Sequence, residues 1–193
     1  MKTLNQYIKE KLIINKDYVD AHTLTPESFD ELVNIISYRY KKLGPGTKKN
    51  PIDFNDIDVS NLDSFCKKNK GIFDYTFFKY IDISDWDVSS VTDMSYMFYM
   101  CEELESVGDI SNWNVSNVTD MSGMFFNCKV LKSVGDLSKW DVSKVESMKS
   151  MFAHCKTITS VGDLSNWNIS NLKYTSYMFH NSGIKNTPSW YKV

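Results

Sequence analysis

Three cysteines stand 27 residues apart, at Cys101, Cys128 and Cys155, and thiols in fixed register are the first candidates for chemistry. Such a column could bind a metal, form disulfides or carry redox chemistry. If successive 27-residue units stack, their backbones lie about 5 Å apart, within disulfide range, yet parallel Cβ vectors fit the required dihedral poorly. Tetrahedral zinc needs four converging ligands, and a straight column diverges. The spacing therefore predicts buried small hydrophobes. His154 and His180 fall on neighbouring units in adjacent columns and could approach each other, but no third ligand or nucleophile accompanies them. Asp82, Asp109, Asp136 and Asp163 form a column of like charge, the last three each following a glycine. Carboxylates so placed can accept backbone N–H bonds and shape a turn, whereas calcium would require several acidic groups per unit. The parallel series Asp87, Asn114, Asp141, Asn168 halves the charge and keeps the acceptor, as an Asx ladder requires. The sequence carries no catalytic triad, phosphate-cradling glycine loop or metalloprotease helix motif. It predicts a non-enzymatic protein with no cofactor and no metal.

The elements that position these columns are repeats. Tryptophans at 86, 113, 140 and 167 recur every 27 residues. The same interval carries Val88, Val115, Val142 and Ile169; Met97, Met124, Met151 and Met178; and Phe98, Phe125, Phe152 and Phe179. Each unit has too few apolar positions to close its own core, so the units must stack and bury one continuous interior. Within a unit, Val91, Met94, Met97, Phe98, Cys101 and Leu104 step by three or four, which predicts a helical or 3₁₀ segment. The β-branched runs Ser106–Ile110 and Trp86–Val88 predict the strands of a short parallel sheet.

Both ends deviate. Residues 57–65 are a worn copy in which Val59 precedes Val88 by 29 residues, and Trp190 follows Trp167 by only 23. Upstream, residues 25–42 predict a helix with Thr25 as N-cap, Pro26 at its first position and Phe29, Leu32, Val33, Ile36 and Tyr40 on one face. Residues 43–51, with two glycines and two prolines, predict a linker or a sharp loop. Residues 3–15 predict a short amphipathic helix with Leu4, Tyr7, Ile8 and Leu12 as its apolar stripe. The expected organisation is a helical N-terminal segment and linker over 1–51 and a repeat solenoid over 52–193. Within the solenoid, 52–82 is a degenerate first coil, 83–182 holds the regular coils and 183–193 is a C-terminal cap whose Pro188 blunts the sheet edge.

The phrase "WDVSSVTDMSYMF" from Trp86, written again as "WNVSNVTDMSGMF" from Trp113, resembles the BspA-like repeats of bacterial surface proteins and mycoplasma lipoproteins, within the leucine-rich-repeat superfamily. The resemblance covers roughly 83 to 182 and implies an α/β, leucine-rich-repeat-like solenoid used for adhesion or protein recognition rather than catalysis. The chain departs from the commonest wording by continuing Cys-x-x-Leu-x-Ser-Val-Gly-Asp, which leaves the coil shape standing. It also opens with "MKTLNQYIKEKL", where surface members of the family carry leaders.

Bulk properties narrow the partners. Lys+Arg 22 against Asp+Glu 24 gives a net charge of −2, which supplies no basic field for nucleic acid. No run reaches the roughly 18 to 20 apolar residues needed to insert in a membrane. Lys9, Glu10 and Lys11 interrupt the place of a secretory core, so the expected location is the cytoplasm of a bacterial cell, or a virion.

On a repeat stack, function concentrates where the repeats disagree. Those columns are Tyr96/Gly123/Ser150/Tyr177, Tyr99/Phe126/Ala153/His180, Met100/Asn127/His154/Asn181 and Glu102/Lys129/Lys156. Tyr96, Tyr99, Phe126, Tyr177, His154 and His180 are the candidate protein-contact residues, together with Leu4, Tyr7, Ile8 and Leu12 of the opening stripe. The leading expectation is a protein-interaction module. The alternative is a structural component of a larger particle such as a phage virion, docked through the N-terminal helices. A carbohydrate-binding or hydrolytic module would need paired carboxylates in a cleft beside exposed aromatics, and the repeats show no such singular site.

Overall fold

A computed structural model describes residues 24–192. Leu4, Tyr7, Ile8 and Leu12 lie outside the described residues. The helix α1 spans Phe29–Leu43, four residues later at its start than the sequence predicts. Ser28, not Thr25, is the N-cap, and its side chain accepts the Glu31 N–H at 3.3 Å. The reason is local: Ser28 and Glu31 have capping-box spacing, and the Glu31 carboxylate reaches back to the Glu27 N–H at 3.0 Å. Gly44, at φ 75°, closes the other end by donating its N–H to the Tyr40 carbonyl, a left-handed position that suits glycine.

The apolar face of α1 lies on the first repeat. Leu32, Ile35 and Ile36 are buried in the same hydrophobic cluster as the repeat columns. Tyr40 meets Phe78 edge-on at 5.0 Å, and the Arg39 guanidinium lies over the Phe54 ring while paired with Asp56. The stretch 43–51 is itself held against the repeats, because the Pro45 carbonyl accepts the N–H groups of Lys79 and Tyr80.

From residue 52 onward, contacts recur one repeat apart. The strands β1 (Ile52–Asp53) and β4 (Ile81–Asp82) pair in parallel, and between them β2 (Cys66–Lys67) and β3 (Lys70–Gly71) form a small antiparallel hairpin. Single parallel bridges continue both edges: Tyr80 to Ser106 to Ser133, and Ser64 to Asp93 to Asp120 to Ser147 to Tyr174. A 3₁₀ turn occupies Leu137–Lys139.

The segment expected to be helical is built differently. Between Met94 and Cys101 the chain makes successive tight turns: Met97 N–H to Met94 O, Tyr99 to Tyr96, and Cys101 to Phe98. The intervening N–H groups leave the unit altogether. Met94, Tyr96, Phe98 and Met100 donate to the carbonyls of Asp120, Ser122, Met124 and Phe126, at 2.8 to 2.9 Å. The same four bonds recur from Met121, Gly123, Phe125 and Asn127, and again from Met148, Ser150, Phe152 and His154. Alternate donors committed to the next unit cannot close i→i−4 bonds, so no α-helix forms. The step of three or four that imitates a helix is the period of the turns. Likewise Trp86–Val88 is not a strand; the Trp86 N–H closes a turn onto Ile83 O.

Each turn pair needs left-handed residues. Tyr96, Gly123, Ser150 and Tyr177 have φ 58°, 61°, 57° and 61°, and Met100, Asn127, His154 and Asn181 have 61°, 60°, 63° and 53°. Positive φ at the third turn position is what type II turns require.

Side chains then lock unit to unit. The Trp86, Trp113, Trp140, Trp167 and Trp190 indoles donate to the carbonyls of Phe54, Ile83, Ile110, Leu137 and Leu164. Phe73, Phe98, Phe125, Phe152 and Phe179 stack face to face at 5.1, 5.1, 5.4 and 6.1 Å. The worn first copy takes its place, since Leu62 N–H closes onto Val59 O and Phe65 N–H donates to Asp93 O. At the other end Trp190 stacks on Trp167 at 6.3 Å, and Tyr191 meets Phe179 edge-on.

Glycine is required at Gly135, where φ is 91° and an added Cβ would stand 2.0 Å from the Asp109 carboxylate. Gly135→Ala is expected to lose about 1 to 3 kcal/mol of stability. Ser150→Gly, at a left-handed position, is expected to be neutral or slightly stabilising. Thermal melts of the two variants check this; a Gly135→Ala protein as stable as the parent would contradict the packing of Gly135 on Asp109.

Candidate functional site

The polar columns resolve into structural work. Asp109, Asp136 and Asp163 each accept the N–H of the serine two residues on, at 2.9 to 3.0 Å, as does Asp82. The backbone N–H groups of Ser138 and Ser165 hold the Asp136 and Asp163 carboxyls below the usual range. Asp87, Asn114, Asp141 and Asn168 do the same for Ser89, Ser116, Ser143 and Ser170. Both columns are Asx turns. No group of three His, Cys, Asp or Glu that could hold a metal occurs among the described residues.

The cysteine column is buried and unoxidised, with a role that spacing did not reveal. Cys101, Cys128 and Cys155 donate their thiols to the carbonyls of Phe73, Phe98 and Phe125 at 2.9 to 3.1 Å. Burial pushes the Cys101 and Cys155 thiols up to about 12, and raises Cys128 as well. They are therefore neutral donors, not nucleophiles. The next position in the column is Ser182, whose hydroxyl is buried without a hydrogen-bond partner.

The variable columns converge on one surface. Tyr75 meets Tyr99 edge-on at 5.7 Å, and Tyr96 meets Tyr99 at 5.5 Å. Tyr99 stacks on Phe126 at 4.9 Å, Phe126 meets His154 at 5.4 Å, His154 meets His180 at 5.5 Å, and His180 meets Tyr177 at 5.5 Å. Six residues predicted from repeat disagreement, Tyr96, Tyr99, Phe126, His154, His180 and Tyr177, thus share one aromatic ridge running along the stack. Tyr75 and Tyr177, at its two ends, are 60% and 61% exposed; His180 is also exposed, and Tyr96, Tyr99, Phe126 and His154 are half-buried. Burial raises the Tyr96 and Tyr99 hydroxyls above their ordinary range, so both stay protonated.

The local backbone explains the ridge. Tyr96, His154 and Tyr177 occupy left-handed positions, which turn their side chains out of the core columns. Gly123, beside the ridge, leaves room for the Tyr96 ring, 3.1 Å from where its Cβ would be. Nearby, Glu102 is neutralised by Lys129 at 2.6 Å and also accepts the Asn127 amide. The Lys129 hydrogen bond holds the Glu102 carboxyl below its ordinary range.

Tyr75 was missed by the sequence reading because the first coil is out of register. The hairpin of β2 and β3 interrupts it, and Phe73 stacks on Phe98 at a separation of 25 residues instead of 27. The aromatic density of Phe73, Tyr75, Phe77 and Phe78 was the available signal.

Residues 52–190 match the family described as Mycoplasma protein of unknown function, DUF285, and the chain belongs to that family. This agrees with the mycoplasma part of the BspA-like resemblance. No curated protein and no solved structure matches the chain. No helix among the described residues is long and apolar enough to cross a membrane.

The thiol geometry predicts both reactivity and pH dependence. At neutral pH a thiol reagent is expected to modify Cys66, which is only partly buried, and to leave Cys101, Cys128 and Cys155 unmodified until the protein unfolds. Because the folded thiols are raised from an ordinary value of 9.0 to about 12, their contribution to stability is complete below pH 9. It is lost as the pH climbs from there toward 12, where the unfolded chain ionises first. Denaturant titrations across that range check the sign; stability that rises with alkaline pH would contradict it.

Proposed function

We propose that this chain is a non-enzymatic protein-interaction module, a leucine-rich-repeat-like solenoid of BspA type, whose contact surface is the aromatic ridge. The observation that carries the reading is the continuity of that ridge. Seven rings from Tyr75 to Tyr177 are linked by contacts of 4.9 to 5.7 Å across five successive coils.

Half-buried aromatic rings supply large contact area at low entropic cost, and aromatic residues are enriched in protein contacts. The core columns are constrained by packing, and the Asp and Cys columns by backbone hydrogen bonds. The ridge side chains have neither duty, and the neighbouring Glu102 is paired with Lys129. A stripe of tyrosine, phenylalanine and histidine rings of this kind fits a protein surface better than a charged polymer. The stack keeps it rigid, so ordering costs on binding fall on the partner.

The test is a comparison of captured proteins. The full chain and a Tyr99→Ser/Phe126→Ser variant are immobilised and exposed to extract from the native source. The variant is expected to melt within about 1 to 2 kcal/mol of the parent, because both positions are outside the core columns, and to lose capture of the partner by at least about tenfold. Equal capture by both proteins would remove the ridge as the contact surface.

A further inference from the structure

The ridge is not the one place where the repeats disagree. In the parallel bridge series that runs through Ser106 and Ser133, the first coil carries Tyr80. The Tyr80 hydroxyl donates to the Glu105 carboxylate, which also pairs with Lys132. The Lys132 and Tyr80 hydrogen bonds hold the Glu105 carboxyl below its ordinary range, so it is ionised and only accepts. The loop 43–51 stands beside this place. Its Pro45 carbonyl accepts the Lys79 and Tyr80 N–H groups, and a Cβ added to Gly46 would lie 2.2 Å from the Tyr80 carbonyl oxygen. The Asn50 N–H closes onto the Thr47 hydroxyl at 3.1 Å, which puts Lys48 in the tip of the loop.

Loop and coil edge enclose a groove of about 330 Å³, whose lining includes Lys48, Tyr80, Asp82, Glu105 and Lys132, a size that suits a small ligand. Two lysines and two carboxylates are all of its charged lining, so the groove has no net charge. Ser106 and Ser133 also line it, and their hydroxyls accept the Gly108 and Gly135 N–H groups at 3.2 and 3.1 Å. That leaves their O–H protons to donate. Lys48 makes no ion pair or side-chain hydrogen bond among the described residues. An anionic ligand would meet Asp82 and Glu105, and a cationic one Lys48 and Lys132. A neutral polyhydroxy ring finds acceptors and donors together, with an aromatic face for its C–H groups.

We propose that this groove binds a neutral hexose, its ring against Tyr80 and its hydroxyls shared among Glu105, Asp82, Lys48 and the two serines. Carboxylates in a cleft beside an aromatic ring are what sugar recognition asks for. Repeat spacing does not reveal them, because Tyr80 stands in place of a repeat serine and Lys48 comes from a loop outside the repeats. The groove shares no residue with the aromatic ridge, so it is a second site and does not depend on protein recognition there.

The probes are the methyl glycosides of glucose, galactose and mannose, together with dextran, galactan and mannan, each titrated into the full chain and followed by NMR. At least one hexose is expected to bind saturably at millimolar concentration or below and to shift the amide signals of Tyr80, Ser106 and Ser133. Tyr80→Ser installs the residue that the next two coils carry, and Lys48→Ala alters an exposed loop tip. Both variants are expected to melt as the parent does and to bind that hexose about tenfold more weakly or worse. Glucuronate and glucosamine should bind more weakly than the neutral sugars. The Tyr99→Ser/Phe126→Ser variant should bind the hexose as the parent does, which tells failure of this site from failure of the ridge. Tighter binding of a polysaccharide than of its glycoside would assign the hexose to a glycan chain, and the reverse to a free sugar; either result upholds the site. No saturable binding of any neutral hexose, binding retained in both Tyr80→Ser and Lys48→Ala, or tighter binding of a charged sugar would overturn the proposal.

Discussion

The structure depends on where alternate backbone N–H groups go. In each coil the donors at positions such as Met94, Tyr96, Phe98 and Met100 find their acceptors only in the following coil. A buried donor without an acceptor costs about 1 to 3 kcal/mol, so a single unit cut from its neighbours would leave a row of such groups unsatisfied. The indole N–H and thiol columns repeat the arrangement in side chains, each reaching back to a carbonyl of the preceding coil. These ladder bonds tie each coil forward, while backbone N–H groups such as those of Thr119 and Glu146, together with the side-chain bonds, tie it back. The 27-residue interval is the length at which both are met together, with Phe98, Phe125 and Phe152 nearly parallel at 7° between neighbours.

The same constraint sorts the residue types. Core columns are uniform because each side chain must fit between two copies of itself, at packing that tolerates little change in volume. Two of the four variable columns lie at left-handed positions, where the backbone sets the requirement and the side chain points away from the interior. Glycine, asparagine and histidine suit such φ values better than most residues. Tyrosine and methionine at Tyr96, Met100 and Tyr177 cost the fold something of order 1 kcal/mol each.

Much of this was legible in the sequence. Fixed spacing placed Trp, Met, Phe and Cys in buried columns, assigned Asp109 and Asn114 to turns, and singled out Tyr96, Tyr99, Phe126, His154, His180 and Tyr177 from repeat disagreement. Three features were not. The helical period of Val91 to Leu104 is shared by a chain of turns, and periodicity alone cannot separate them. The N-cap moved from Thr25 to Ser28 because a capping box outweighed proline at the first helical position. Tyr75 was hidden because the hairpin of β2 and β3 shifts the first coil out of the 27-residue frame. Thiol and indole bonds to the preceding coil leave no trace in spacing, since burial alone would produce the same columns.

Inter-coil register holds this fold together, and deletion tests it most directly. Removing residues 113–139 takes out one whole unit of 27 and leaves Asn112 followed by Trp140, so every column and every ladder bond can re-form between the flanking coils. Removing residues 113–137, two fewer, shifts the columns across that junction. Circular dichroism melts of the two proteins are predicted to differ: the 27-residue deletion should unfold in one cooperative transition at a somewhat lower temperature than the parent, because a shorter stack has fewer interfaces. The 25-residue deletion should show a broad or absent transition. Equally cooperative melts for both deletions would contradict the claim that inter-coil register holds this fold together.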